Sequence, residues 1–191
     1  MRDLRIRFTP PRRLPDLGIR LATAADLPAL EWEGEFAHFR KLFADTFADM
    51  QKGRRLMLLA ERQRYLLGQV FIQFRSQAVS LADGRSRGYL YAFRVRPAWQ
   101  NMGIGTALLE AAENVLLKYG YEYGSLAVAK DNPAALRLYE RNGYTIIGED
   151  AGEWTYTDHL GHIQQVAEPC WILEKRLPHP ALPGQQFLGS R

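Results

Sequence analysis

The stretch Trp99–Leu109, WQNMGIGTALL, sets Gly103 and Gly105 at the mouth of a strongly apolar segment. Glycine weakens a helix interior by roughly 1 kcal/mol relative to alanine, so bare backbone must serve another purpose here. A helix start carries unpaired N–H groups and a partial positive charge, which makes it an anion site. Before it stands YLYAFRVRP (Tyr89–Pro97), β-branched and aromatic, closed by a proline that cannot continue a ladder. After it the apolar pattern predicts a helix from Gly103 to Tyr119, stopped by Gly120. Strand, glycine turn, helix start is the order a phosphate site requires. The plain alternative is a pair of glycines that only tighten a turn. Two familiar phosphate loops fail the comparison. A Walker loop needs Gly-Lys-Ser/Thr, whereas Gly105 precedes Thr106 and Ala107; a dinucleotide fingerprint needs Gly or Ala where Leu108 stands.

Working outward, RLMLLAER (Arg55–Arg62) and YLLGQVFIQF (Tyr65–Phe74) predict two strands joined at Gln63 and Arg64. LGIRLA (Leu17–Ala22) alternates as a short strand, and TAADLPAL then predicts a helix capped by Thr23. From Glu33 to Met50, the spacing of Phe36, Phe39, Phe43 and Phe47 predicts one helix with an aromatic core stripe. YGSLAVA (Tyr123–Ala129) predicts a buried strand. In the following segment Asn132 suits a cap, Pro133 the first helical position and Gly143 the exit. YTIIGE and EPCWILEKRL predict strands, with a hairpin at TYTDHLGHIQQ between them. Mixed strands and helices of this kind make a mixed α/β (α+β) sheet in one domain.

The 191 residues are 47% hydrophobic and 24% charged, which is ordinary globular composition. A net charge of +4 allows an anionic ligand without selecting one. Much of the excess lies on Arg2, Arg5, Arg7, Arg12, Arg13 and Arg20, against Asp3 and Asp16. We read this as a solvated arm, not a nucleic-acid site. Cys170 is the single cysteine, so neither an intrachain disulfide nor a thiolate metal cluster is expected. No apolar run approaches the ~20 residues of a membrane span, and the N-terminus lacks the apolar stretch of a secretory signal. The expected compartment is the cytoplasm.

A pattern that does fit the opening stretch is Gln/Arg-x-x-Gly-x-Gly/Ala, supplied by Gln100, Gly103 and Gly105. With the preceding strand and the downstream NPAALRLYERNGY (Asn132–Tyr144), it resembles the GNAT superfamily of N-acetyltransferases. The resemblance covers roughly Leu17 to Leu177, leaving residues 1–16 as a basic arm and 178–191 as a tail. It implies a mostly antiparallel sheet of about six to seven strands, splayed at the acetyl-CoA site and flanked by about four helices. It further implies that acetyl-CoA is the co-substrate, with no metal, and that the acceptor is a primary amine. That amine would belong to a small molecule or to a protein N-terminus or lysine. Such proteins are often dimers, which the resemblance extends to this chain.

Residue by residue, the backbone of Phe93, Arg94 and Val95 would run beside the pantetheine arm. Gln100 and the N–H groups of Asn101, Met102, Gly103, Ile104, Gly105 and Thr106 would hold the pyrophosphate. The Val95 N–H would meet the developing oxyanion. Tyr139 matches the family's general acid, though its spacing from Leu136 also suits packing. Asn132 matches a pantetheine contact and is equally a helix cap. The pattern departs at the general base: Ala127, and the positions of Tyr89, Tyr91 and Phe93, carry no carboxylate. The proton must therefore leave through water or another residue, or the amine must arrive neutral. A module that binds acyl-CoA without catalysis is the alternative this departure feeds. Acceptor-side candidates are Glu31, Trp32 and Glu33 in LEWEGEF, Tyr91, and Trp154 and Asp158 in EWTYTDHLGH. Acids beside aromatic rings would suit a cationic amine, and the glutamates equally suit a solvated helix start. Asp158, His159 and His162 are read as turn residues and not as a metal site.

Overall fold

The computed structural model describes residues 14–78 and 80–178, so most of the basic arm and the tail lie outside it. The strands are β1 (Gly18–Leu21), β2 (Arg55–Arg62), β3 (Tyr65–Gln73), β4 (Arg87–Val95), β5 (Tyr123–Ala129), β6 (Thr145–Asp150), β7 (Glu153–Thr157), β8 (Ile163–Ala167) and β9 (Cys170–Arg176). The α-helices are α1 (Arg40–Gln51), α2 (Ile104–Lys118) and α3 (Pro133–Arg141). Seven strands form one sheet in the order β1-β2-β3-β4-β5-β9-β6, and β7 and β8 form a separate hairpin. Within the large sheet only β4 and β5 run parallel.

Both faces of the central strands are covered, which is why β2 and β3 read as apolar runs without alternation. On one face Leu58, Ile72 and Leu90 pack with Leu108, Ala111 and Val115 of α2. On the other, Met57, Leu59 and Phe71 pack with Leu30, Trp32 and Phe43. Each large side chain buried this way contributes about 2 kcal/mol, so the two half-cores together clamp the sheet.

Two helical predictions change in form. The segment after Thr23 is a 3-10 helix (Ala24–Glu31) with Pro28 inside it. Its start is fixed by Asp26, whose carboxylate accepts from the Thr23 N–H (2.7 Å) and hydroxyl (2.8 Å). Arg20 donates to the same carboxylate at 2.7 Å and also pairs with Glu61. The helix expected from Glu33 begins only at Arg40, after a short 3-10 turn, Ala37–Phe39. Trp32 (φ 47°) and Glu33 (φ 59°) sit in the left-handed region, which a helix cannot contain. The phenylalanine stripe survives this break: Phe36–Phe39 and Phe39–Phe43 keep ring contacts at 6.4 and 6.2 Å.

Candidate active site

The parallel pairing of β4 with β5 runs from Arg87↔Tyr123 to Leu90↔Leu126 and stops. Beyond it the last five residues of β4 have no partner on that side, while β5 continues against β9. Just past the fork, Ala92 adopts φ 48° and the β3–β4 register slips between Phe71↔Tyr91 and Gln69↔Arg94. One extra residue in a strand turns every later side chain to the opposite face. Thus Phe93 and Val95 join the α2 side, while Tyr91 and Ala92 pack on the α1 side. Arg94 follows them there, its guanidinium 4.4 Å from the Phe36 ring centre.

The backbone turns usefully at the same place. The Arg96 N–H donates to Leu67 O across to β3, at 2.8 Å. Successive strand residues direct their N–H groups to alternate sides, so the Val95 N–H faces the fork. The Gln100 side-chain amide donates to Val95 O at 3.1 Å, tying the end of β4 to the loop that follows.

That loop carries Asn101 at φ 60° and Gly103 at φ 83°. Gly103 is the residue that starts α2, and its conformation is one that side chains with a Cβ rarely take. The first intrahelical bond is Ala107 N–H to Gly103 O, 3.0 Å. The N–H groups of Ile104, Gly105 and Thr106 precede it and have no intrahelical partner, as at any helix start. Gly105 has a packing role that the sequence did not disclose. A Cβ there would stand 3.0 Å from Leu138 Cδ2 and 3.8 Å from the Phe93 ring, so glycine lets α2 close on α3. Met102 projects outward, 41% exposed.

Tyr139 lies on α3, 5% exposed, with its ring edge-on to Phe93 at 5.8 Å. Burial pushes its phenol well above the ordinary value, so it carries its proton throughout the neutral range. Asn132 caps α3: its Oδ1 accepts from the Ala135 N–H at 3.0 Å.

On the α1 side the expected acids are already engaged. Glu31 receives two hydrogen bonds from Arg40 (2.6 and 2.7 Å), and Glu33 receives two from Arg96 (2.6 and 3.0 Å). In each case the arginine's hydrogen bonds hold the carboxyl below its usual range. Trp32 is buried, and the Arg96 guanidinium lies 5.0 Å from its ring. Tyr91 accepts from Arg55 Nη1 at 2.9 Å and stacks on Tyr89 at 5.7 Å; burial raises its phenol. Trp154, on the β7–β8 hairpin, stacks on Phe39 at 6.1 Å beside Tyr156. Asp158 closes the hairpin turn by accepting from the N–H groups of Leu160 and His162 and from the Gln164 amide. Burial opposes its ionisation, yet those donors outweigh it and hold the carboxyl at about 2. No group of three metal-ligating side chains occurs among the described residues.

The side chain of Arg94 is the contribution sequence reading missed. It reaches the rings of Phe36 (4.4 Å) and Phe39 (5.2 Å), and its Nη1 is buried without a hydrogen-bond partner. Burial drags the guanidinium down to about 10, partly offset by the fields of Glu35 and Glu168; it remains cationic at neutral pH. Nothing in a strand sequence distinguishes an inward arginine from a solvated one, because the bulge at Ala92 sets its direction.

A family model described as "Acetyltransferase (GNAT) family" matches residues 24–144. Among curated relatives, the mycothiol acetyltransferase of Thermobispora bispora is 32% identical over 154 residues, covering 72% of this chain and 51% of that protein. That of Propionibacterium freudenreichii is 33% identical over 81 residues, covering 42% and 26%. The chain thus spans about a quarter to a half of the length of these two relatives. Among solved structures, the ribosomal-protein-S18-alanine N-acetyltransferase of Escherichia coli shares the fold with a TM-score of 0.62 at 24% identity, over 90% of this chain and 99% of that one. The PaiA N-acetyltransferase of Thermoplasma acidophilum, solved with coenzyme A, gives 0.63 at 19% identity, over 84% and 98%. No helix among the described residues is long and apolar enough to cross a membrane.

Proposed function

The chain belongs to the acetyltransferase (GNAT) family, and we propose that it transfers an acetyl group from acetyl-CoA to a primary amine. The observation that carries this reading is a pair of free backbone donor sites at one end of the sheet, the Val95 N–H and the start of α2. The Val95 N–H faces the fork between β4 and β5, and the loop after it leads directly to the orphan N–H groups of α2. A pantetheine arm laid along Phe93–Val95 would occupy the missing strand position. Its pyrophosphate would then meet Ile104, Gly105 and Thr106, with Gly103 and Asn101 shaping the cradle. Met102 stands at the rim of this cradle.

Acetyl-CoA supplies the activated acyl group; the chain's residues position and assist. Val95 N–H is directed to where negative charge builds on the carbonyl oxygen, a fixed donor needing no reorganisation. The acceptor nitrogen adds to the thioester carbonyl, forming the C–N bond and the oxyanion; as the carbonyl re-forms the C–S bond breaks, and the departing sulfur takes a proton from Tyr139. With the thiol at about 8.5 and burial raising the phenol, this transfer runs uphill and is completed as Tyr139 regains a proton from water. Ala127 and Tyr91 offer no carboxylate base, so the amine's own proton passes to water. The acceptor enters from the α1 side, past Phe39, Trp154 and Tyr156.

Calorimetric titration of acetyl-CoA into the full chain, followed by thiol release across amine classes, tests the reading. Saturable binding with amine-dependent thiol release is the expected result. No binding at millimolar acetyl-CoA would overturn it.

A further inference from the structure

Buried side-chain atoms without hydrogen-bond partners gather on the α1 face of the sheet. Among the described residues they include Arg94 Nη1 and both amide atoms of Gln69. Gln69 is 0% exposed and stands directly opposite Arg94 in the β3–β4 register. Side chains so placed share a face, with Cβ atoms about 5 Å apart. An amide buried with neither its donor nor its acceptor satisfied by the protein is costly, and native structures give nearly every such group a partner, whether protein, water or ligand. Here the two unsatisfied residues lie together, one strand apart, on the very segment of β4 that ends in Val95.

The surroundings define what that partner is. Phe36 and Phe39 flank the guanidinium, whose Nη1 is buried. A desolvated guanidinium prefers a carboxylate, which it can bind with two parallel hydrogen bonds. The Gln69 amide adds a further donor beside it and an acceptor for an N–H. The Arg94 charge lies within the fields of Glu35 and Glu168, while the nearby Glu31 and Glu33 are paired with Arg40 and Arg96.

Resting on the acetyltransferase reading above, we propose that Arg94 and Gln69 form a carboxylate-recognition pocket, and that the acceptor is a primary amine bearing a carboxylate, as an amino acid does. Arg94 is then a specificity-determining residue on the acceptor side, distinct from the backbone of the same residue that lies beside the cofactor arm.

The test compares α-amino acids with their own carboxamides, pair by pair, as acceptors for the full chain at saturating acetyl-CoA. The acids are expected to exceed the amides by about tenfold or more in kcat/KM, carried by KM, the worth of one charge-assisted hydrogen bond. Arg94→Met removes the preference and leaves the melting temperature level or higher, because a desolvated charge is replaced by an apolar chain of similar length. Arg94→Lys restores part of the preference. Equal rates for acids and amides would overturn the proposal, as would a preference that persists in Arg94→Met. So would a fall in melting temperature with no change in selectivity, which would make Arg94 a structural partner of Gln69 only. Acetyl-CoA binding without turnover of any pair also overturns it. Absence of acetyl-CoA binding instead defeats the underlying acetyltransferase reading, and the pocket with it.

Discussion

The two faces of the sheet solve opposite problems. On the α2 face nearly everything is apolar and closed. Among the described residues, the orphaned polar atoms there include those of Glu113 and Tyr144, which face each other beside Lys175. Whatever this face does for a ligand it does with backbone, at Val95 and at the start of α2. The α1 face instead keeps a cationic side chain and an amide turned inward without partners, among Phe36, Phe39 and the hairpin rings. Backbone donors suit a ligand that every family member shares, since they survive sequence change. Side chains suit a ligand particular to one protein. The difference teaches where to look for common chemistry and where for individual specificity.

The largest expected effect tests the backbone side. Gly103→Asn should weaken acetyl-CoA binding by about a hundredfold or more, because several charge-assisted N–H contacts are blocked at once. Asparagine tolerates the left-handed conformation, so the melting temperature should move by only a few degrees. Equal affinity by calorimetry would remove the cradle from the argument. Next comes Tyr139→Phe, which should cut kcat about a hundredfold while the acetyl-CoA Kd stays put. Unchanged turnover would leave the ring as packing against Phe93, and a chain that binds but never turns over would favour the non-catalytic module.

Smaller is the change at Asn132, where two roles compete. Asn132→Ala should cost about 1 kcal/mol of stability through the lost cap, whereas Asn132→Ser keeps the cap. If the serine variant also keeps the acetyl-CoA Kd, the residue is a cap alone. The smallest effect concerns pH. Asp26 and Asp158 have carboxyls depressed in the folded state, so the stability they add is complete above the unfolded value of about 3.9. It should be lost as pH falls from about 4 toward 2, through the folded carboxyl of Asp158 at about 2. Thermal melts between pH 5 and 2 should show a shallower decline in Asp158→Asn.

Much of the fold was legible because it rests on local signals. Arg55–Arg62, the strand beginning at Tyr65 and the helix from Gly103 emerged from apolar runs and punctuating glycines close to their observed bounds. The break at Trp32 and Glu33 was not legible. Their left-handed backbone is held by long-range contacts, a buried indole and an ion pair to Arg96, 63 residues away. The site divides in the same manner. Its glycine loop and α3 are contiguous in sequence, but Arg94, Gln69 and Phe36 meet only because β3, β4 and the segment before α1 are brought together. The bulge at Ala92 then decides which way the arginine points. A one-residue slip has no signature in composition or period.

The fork between β4 and β5 has a mechanical consequence. Only the four rungs from Arg87↔Tyr123 to Leu90↔Leu126 join β1–β4 to β5, β9 and β6 within the sheet. The sheet is a pair of leaves on a short spine, open at the end proposed to take acetyl-CoA. A ligand laid along the gap acts as the missing leaf stitch. Filling it should slow amide exchange at Val95 and across Ala127–Ala129 together, and raise the melting point with the logarithm of ligand concentration. If acetyl-CoA is that ligand, as proposed, cofactor supply becomes part of the tertiary structure, and an acetyl-CoA-starved cell would hold a looser protein than a well-fed one.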